Sequence, residues 1–108
     1  WMRARLSEYA TQIWIVMQED LPVGQVRLER KSNIVYTDVY IASHVRKNGI
    51  AKAALKNSIE SYNHALGCNT FCAMVHAKNK SSQRLFLSCG FNYVHSDSDD
   101  WLKFIRLS

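Results

Sequence analysis

The segment Arg46-Lys47-Asn48-Gly49-Ile50-Ala51 has the residue types and order that most directly suggest chemistry. It lies between a β-branched run and a stretch of helical periodicity, so it is a strand-to-helix connection. A helix N-terminus leaves backbone N–H groups unpaired and carries partial positive charge, which draws a phosphate. Gly49 lets the backbone approach such an anion without a Cβ in the way. Ala51 keeps the first helical turn small, while Arg46 and Lys47 add charge that a diphosphate can use. The loop is not a dinucleotide-binding GxGxxG and lacks the Gly-Lys-Ser/Thr ending of a P-loop. On its own it fits equally well a connection with a solvated basic edge.

The elements around this loop follow from periodicity. Gln12 to Gln18 is rich in β-branched and aromatic residues and reads as a strand. Glu19-Asp20-Leu21-Pro22 reads as a turn, and Val23 to Glu29 alternates as its antiparallel hairpin partner. Ser32-Asn33 marks a second turn before a strand from Ile34 to Ile41. Beyond Gly49, residues Ala51, Leu55, Ile59, Tyr62 and Leu66 recur at three- and four-residue steps, one face of a helix that Gly67 stops. Thr70 to Val75 is a short strand. Ser82, Leu85, Phe86 and Cys89 restore helical spacing up to Gly90. Phe91 to Val94 and Trp101 to Leu107 form a last strand pair joined by the acidic loop Ser96 to Asp100. Trp1 to Tyr9 reads as the tail of a helix with Trp1, Leu6 and Tyr9 on its apolar face. This order implies an α/β (α+β) domain with a mixed, mostly antiparallel sheet flanked by helices.

The 108 residues make one domain, 1–108. With 47% apolar and 21% charged residues, the chain has the profile of an ordinary globular protein. No apolar run approaches the ~20 residues of a membrane-spanning helix, and Trp1 to Leu6 has no signal-peptide core, so a cytoplasmic location is expected. Cys68, Cys72 and Cys89 are odd in number and follow no CxxC or zinc spacing. They read as reduced thiols, two of them in the core, and no metal site is expected. A net charge of +5 suits nucleic acid, an anionic membrane or a polyphosphorylated small molecule. The positive residues are scattered, with no block of five, which argues against the first two. His44, His64, His76 and His95 read as surface or capping residues, and Trp14 and Trp101 as core or sheet-face residues.

Three motifs in order resemble the GNAT superfamily of N-acetyltransferases. Arg46-x-x-Gly49-x-Ala51 is similar to that family's Gln/Arg-x-x-Gly-x-Gly/Ala signature after its fourth strand. Asn79-Lys80-Ser81-Ser82-Gln83-Arg84-Leu85-Phe86, followed by Cys89-Gly90-Phe91, resembles its second motif. Pro22-Val23-Gly24-Gln25-Val26-Arg27 resembles the strand that carries a Val-Gly pair. Together they cover roughly residues 12 to 108. The opening Trp1 to Leu6, with the later Val23-Gly24-Gln25-Val26-Arg27, resembles members acting on nucleotide-linked amino sugars.

The resemblance implies acetyl-coenzyme A as cosubstrate, a small-molecule primary amine as acceptor, and the acyl-CoA N-acyltransferase fold. The diphosphate would lie on backbone amides of Arg46, Lys47, Asn48, Gly49, Ile50 and Ala51. The pantetheine arm would pair with Val39, Tyr40 and Ile41, and the Ile41 amide would meet the thioester oxygen. Asn79 matches an Asn that contacts the cofactor arm, although Asn equally suits a helix N-cap. Ser82 is a cofactor contact or a small packing residue. Many members carry a Glu base ten residues before the signature Arg; here that position is Tyr36. Asp38, two residues on and on the same strand face, is the candidate base, with pairing to a neighbouring Arg as its structural alternative. The usual general-acid Tyr is replaced by Phe86, leaving water, Tyr93 or His76. These departures keep open a domain that binds coenzyme A without catalysis, and a protein or peptide N-acetyltransferase is a further reading. The family's N-terminal strand and helices are expected to be largely missing, and a sheet edge left unpaired would favour a homodimer.

Overall fold

The structure, a computed structural model, describes residues 2–6 (backbone only), 11–44, 49–67, 70–94 and 98–107. The chain runs β1 (Met2–Leu6), β2 (Thr11–Gln18), β3 (Leu21–Lys31), β4 (Ile34–Ile41), α1 (Ile50–Leu66), β5 (Thr70–His76), α2 (Lys80–Ser88), β6 (Asn92–Val94) and β7 (Trp101–Leu107). The seven strands form one sheet in the order β1-β2-β3-β4-β5-β7-β6. All neighbours are antiparallel except β4 and β5, where α1 makes the crossover. The mixed, mostly antiparallel sheet expected from the order of elements is present.

Strand alternation sorts the side chains onto two faces. Val26 and Leu28 of β3, Val35 and Ile41 of β4, Phe71, Ala73 and Val75 of β5 and Phe104 of β7 are buried on one of them. Leu55, Ile59 and Tyr62 of α1 and Phe86 of α2 join them in a single core. Each of these large side chains contributes roughly 1.5–3 kcal/mol by leaving water. Both described helices therefore lie on one face. The other face carries Arg27, Glu29, Tyr36, Asp38, Met74 and Trp101, which the strand register places together.

Four sequence expectations change. Met2–Leu6 is a strand paired with Val16 to Gln12, not a helix tail. Its apolar residues alternate with Arg3 and Arg5, and this two-residue period prevails over the wider Trp1/Leu6/Tyr9 spacing. Pro22 lies inside β3 rather than in the turn, because Glu19 and Asp20 alone make the reversal with φ of 50° and 65°. It sits opposite Met17 beside a register shift, where a strand tolerates a residue without an N–H. On α1 the buried stripe also includes Ala54 and Ser58, while Leu66 is exposed. Ser58 is tolerated because its hydroxyl donates to the Ala54 carbonyl at 2.8 Å. Finally, α2 begins at Lys80, before the first apolar repeat, because Asn79 caps it. Cys72 and Cys89 are buried free thiols; Cys68 and His95 lie outside the described residues.

Candidate active site

A wedge opens in the middle of the sheet. The parallel pairing of β4 with β5 covers Ile34↔Thr70, Val35↔Phe71 and Tyr36↔Cys72 and goes no further. Beyond it β4 follows β3 up to Ile41↔Gly24, and β5 follows β7 up to His76↔Trp101. The two strands thus diverge from residues 37 and 73 onward. The Ala42 N–H donates to the Val23 carbonyl at 2.7 Å. Antiparallel alternation then turns the peptide groups of Asp38 and Tyr40 toward β3, and those of Val39 and Ile41 toward the wedge. Gly24 permits this close pairing: a Cβ there would stand 2.4 Å from the Tyr40 carbonyl oxygen.

On the helix side, a cavity of about 310 Å³ is lined by Val39, Tyr40, Ile41, Gly49, Ala51, Lys52, Asn79, Ser81, Ser82 and Leu85. Seven residues named from sequence meet here. Ile50 instead packs against the core, and Arg46, Lys47 and Asn48 lie outside the described residues. Gly49 caps α1 at φ 70°, a left-handed conformation, and a Cβ built on it meets nothing within 4 Å among the described residues. Among them, Gly49 leaves room for an anion at the helix start. Its carbonyl accepts the Ala53 N–H at 3.1 Å, the first helical bond. Asn79 is the N-cap of α2 and stands at the edge of the cavity. Its Oδ1 accepts from the Ser82 N–H at 3.1 Å and from the Ser81 hydroxyl at 3.2 Å, and the residue also lines the cavity. Lys52, Ser81 and Leu85 were missed; Lys52, one residue past the signature, carried a readable signal in its charge.

On the other face, a second cavity of about 330 Å³ is lined by Arg27, Glu29, Tyr36, Thr37, Asp38, Cys72, Met74 and Trp101. Arg27 stands opposite Asp38 in register, yet its guanidinium pairs with Glu29, which Lys31 also approaches at 3.7 Å. Asp38 has no ion pair among the described residues. Burial raises the Cys72 thiol above its ordinary pKa, with Lys103 opposing weakly, so the thiol stays neutral and is a poor nucleophile. Phe86 is 4% exposed and packs edge-on against Phe91, part of the core rather than of either cavity. Tyr93 packs on Phe104 and lines neither cavity. His76 accepts the Lys78 N–H on Nδ1 at 3.1 Å, which leaves Nε2 as its donor in the neutral ring.

The arrangement sets a helix start and a strand end on one side of the wedge and a carboxylate on the other. That is a geometry for bringing two molecules together through a sheet. Among the described residues no cluster of His, Cys, Asp or Glu could hold a metal, and no helix is long and apolar enough to cross a membrane.

Comparison with known proteins gives concordant results. A family model for an acetyltransferase (GNAT) domain matches residues 1–92. No curated protein sequence matches the chain. Among solved structures, ribosomal-protein-alanine N-acetyltransferase from Brucella melitensis aligns at TM-score 0.79 and 21% identity, covering 91% of this chain and 69% of that one. A spermidine N-acetyltransferase from Vibrio cholerae aligns at 0.78 and 16%, covering 93% and 67%. The Campylobacter jejuni N-acetyltransferase PseH, solved with acetyl coenzyme A, aligns at 0.77 and 15%, covering 94% and 70%. At these identities the likeness establishes the fold.

Proposed function

The chain belongs to the GNAT acetyltransferase family, and from that premise we propose that it transfers the acetyl group of acetyl-coenzyme A to a primary amine of a small molecule. The observation that carries this reading is the wedge between β4 and β5, with one cavity on each side of it. Acetyl-coenzyme A supplies the activated thioester. The α1 N-terminus at Gly49 to Ala51, with Lys52 and the adjoining Arg46, Lys47 and Asn48, would hold its diphosphate. The peptide groups of Val39 and Ile41, aimed into the wedge, would pair with the pantetheine amides, and the Ile41 N–H would stabilise the oxyanion that develops on the thioester.

Asp38 takes the proton that frees the acceptor amine, since an alkylammonium cannot attack. The amine nitrogen then forms a C–N bond to the acetyl carbon. As the C–S bond breaks, the nitrogen gives its second proton to water, and water in turn protonates the departing thiolate, which leaves as the coenzyme A thiol. Water fits this last step because Phe86 has no proton to give. The burial of Phe86 and the replacement of the usual Glu by Tyr36 favour one alternative, a domain that binds coenzyme A without transferring acetyl.

The cradle is tested by calorimetry on Gly49→Asp beside Gly49→Asn. Both side chains tolerate a left-handed φ better than most, and both start from a Cβ position with no described neighbour within 4 Å. The Asp variant should lose at least about tenfold in coenzyme A affinity and the Asn variant clearly less, because like charges repel across a short gap. Equal affinities for all three proteins would place the diphosphate elsewhere. Tight binding with no acetylation of any amine would favour the non-catalytic alternative.

A further inference from the structure

We infer that the acceptor is a monocationic primary amine with an aromatic or bulky apolar body, its ammonium beside Asp38 and its body on Met74 and Trp101. This rests on the transfer reading above and concerns the cavity on the face opposite the two described helices.

The charges in that cavity are uneven. One cation, Arg27, stands among two carboxylates, Glu29 and Asp38, although the whole chain is positive. Glu29 already has Arg27 and Lys31 as partners, so Asp38 is the lining carboxylate without an ion pair among the described residues. A single such carboxylate fits one ammonium. A polyamine would bring a second cation with no second carboxylate to meet it. A nucleotide-linked sugar would bring a diphosphate against a lining in which carboxylates outnumber cations.

Beside these charges the lining holds two accessible apolar side chains. Met74 is 44% and Trp101 47% exposed, large apolar surface gathered in a concavity rather than scattered. The Trp101 indole is braced edge-to-face by His76 at 5.2 Å, and the Lys78 N–H holds His76 in turn. Lys31 sits 5.7 Å from the Tyr36 ring centroid, so that ring already has a cation. Trp101 is therefore the platform left for a ligand, and Met74 adds a polarisable surface that adapts to ring edges. A volume of about 330 Å³ has room for a ring and a short amine linker.

The test uses the chain saturated with coenzyme A. Tryptamine, spermidine and glucosamine are titrated into that complex by calorimetry, and each is assayed as acceptor with acetyl-coenzyme A. Tryptamine should bind and should have a kcat/KM at least tenfold above the other two. Trp101→Ala should cut that preference by roughly tenfold through loss of stacked apolar area, Trp101→Phe should keep most of it, and coenzyme A affinity should not move. Spermidine or glucosamine as the better acceptor, or a preference unchanged in natively folded Trp101→Ala, overturns the inference and leaves the transfer reading standing. If no amine is acetylated yet tryptamine binds in a Trp101-dependent way, the site assignment holds and the transfer reading fails. If tryptamine does not bind the complex, the inference falls.

Discussion

The two cavities on either side of the wedge are assembled in different ways. The one under the helices is built from three short stretches of chain, 39–41, 49–52 and 79–85, each a strand end or a helix start. The one on the open face takes Arg27 and Glu29 from β3, Tyr36 to Asp38 from β4, Cys72 and Met74 from β5 and Trp101 from β7. The first uses backbone groups and helix ends, so its recognition depends on conformation. The second uses side chains brought together only by sheet register, so its recognition depends on which residue occupies each pleat. A change in one should leave the other largely intact, and that independence can be tested.

The largest effect should come from the open face. Asp38→Asn removes the proposed proton acceptor with almost no change of shape, and kcat/KM should fall by roughly 100-fold, the lower end for loss of a general base. Coenzyme A affinity should stay within about twofold. Wild-type kinetics in this variant would return Asp38 to a structural role and hand deprotonation to water. An equal loss of cofactor affinity would show that the two cavities are not separable.

Next in size is Gly24, on β3 opposite Ile41. A Cβ there would lie 2.4 Å from the Tyr40 oxygen and 2.6 Å from Ile41 Cδ1, so β4 must move at the end that lines the helix-side cavity. Gly24→Ala should cost about 2 kcal/mol of stability, as overpacked sites do. It should also weaken coenzyme A binding, because the displaced strand is the one that lines the cradle. Thermal unfolding and a coenzyme A titration check both parts. A stable variant with full affinity would mean that β4 shifts without disturbing the wedge.

How much of this was legible in the sequence follows the same division. Part of the helix-side cavity was readable, since Gly49, Ala51, Asn79 and Ser82 stand at or near helix starts and their residue types match what a helix start needs. β4 was predicted at its observed bounds, Ile34 to Ile41, because Ser32-Asn33 marks a turn before a run of β-branched and aromatic residues interrupted only by Asp38. The partners of Asp38 were not readable. Arg27 lies opposite it, but only the structure shows that guanidinium turned to Glu29. Trp101 read as a sheet-face residue, and its place in a cavity depends on β7 inserting beside β5, a pairing that spans a long stretch of chain. At Phe86 the departure from the family pattern was readable, while its burial against Phe91 needed the packing.

The smallest effect separates two roles that coincide at Asn79. Its Oδ1 caps α2 through the Ser82 N–H at 3.1 Å, and the residue also lines the helix-side cavity. Asn79→Ala removes both roles and should cost about 1 kcal/mol, as N-cap deletions do, lowering the melting temperature by several degrees. That result alone does not tell a cap from a cofactor contact, so the comparison that matters is Asn79→Asp. Aspartate keeps the capping oxygen and adds a favourable charge at the helix N-terminus, so this variant should be as stable as the parent or slightly more so. It also removes the amide donor and sets a negative charge beside the wedge. If Asn79 only caps, coenzyme A binds Asn79→Asp as it binds the parent. If its amide also touches the cofactor arm, affinity falls several-fold while the melting temperature holds, and the helix-side cavity then depends on a side chain as well as on backbone groups.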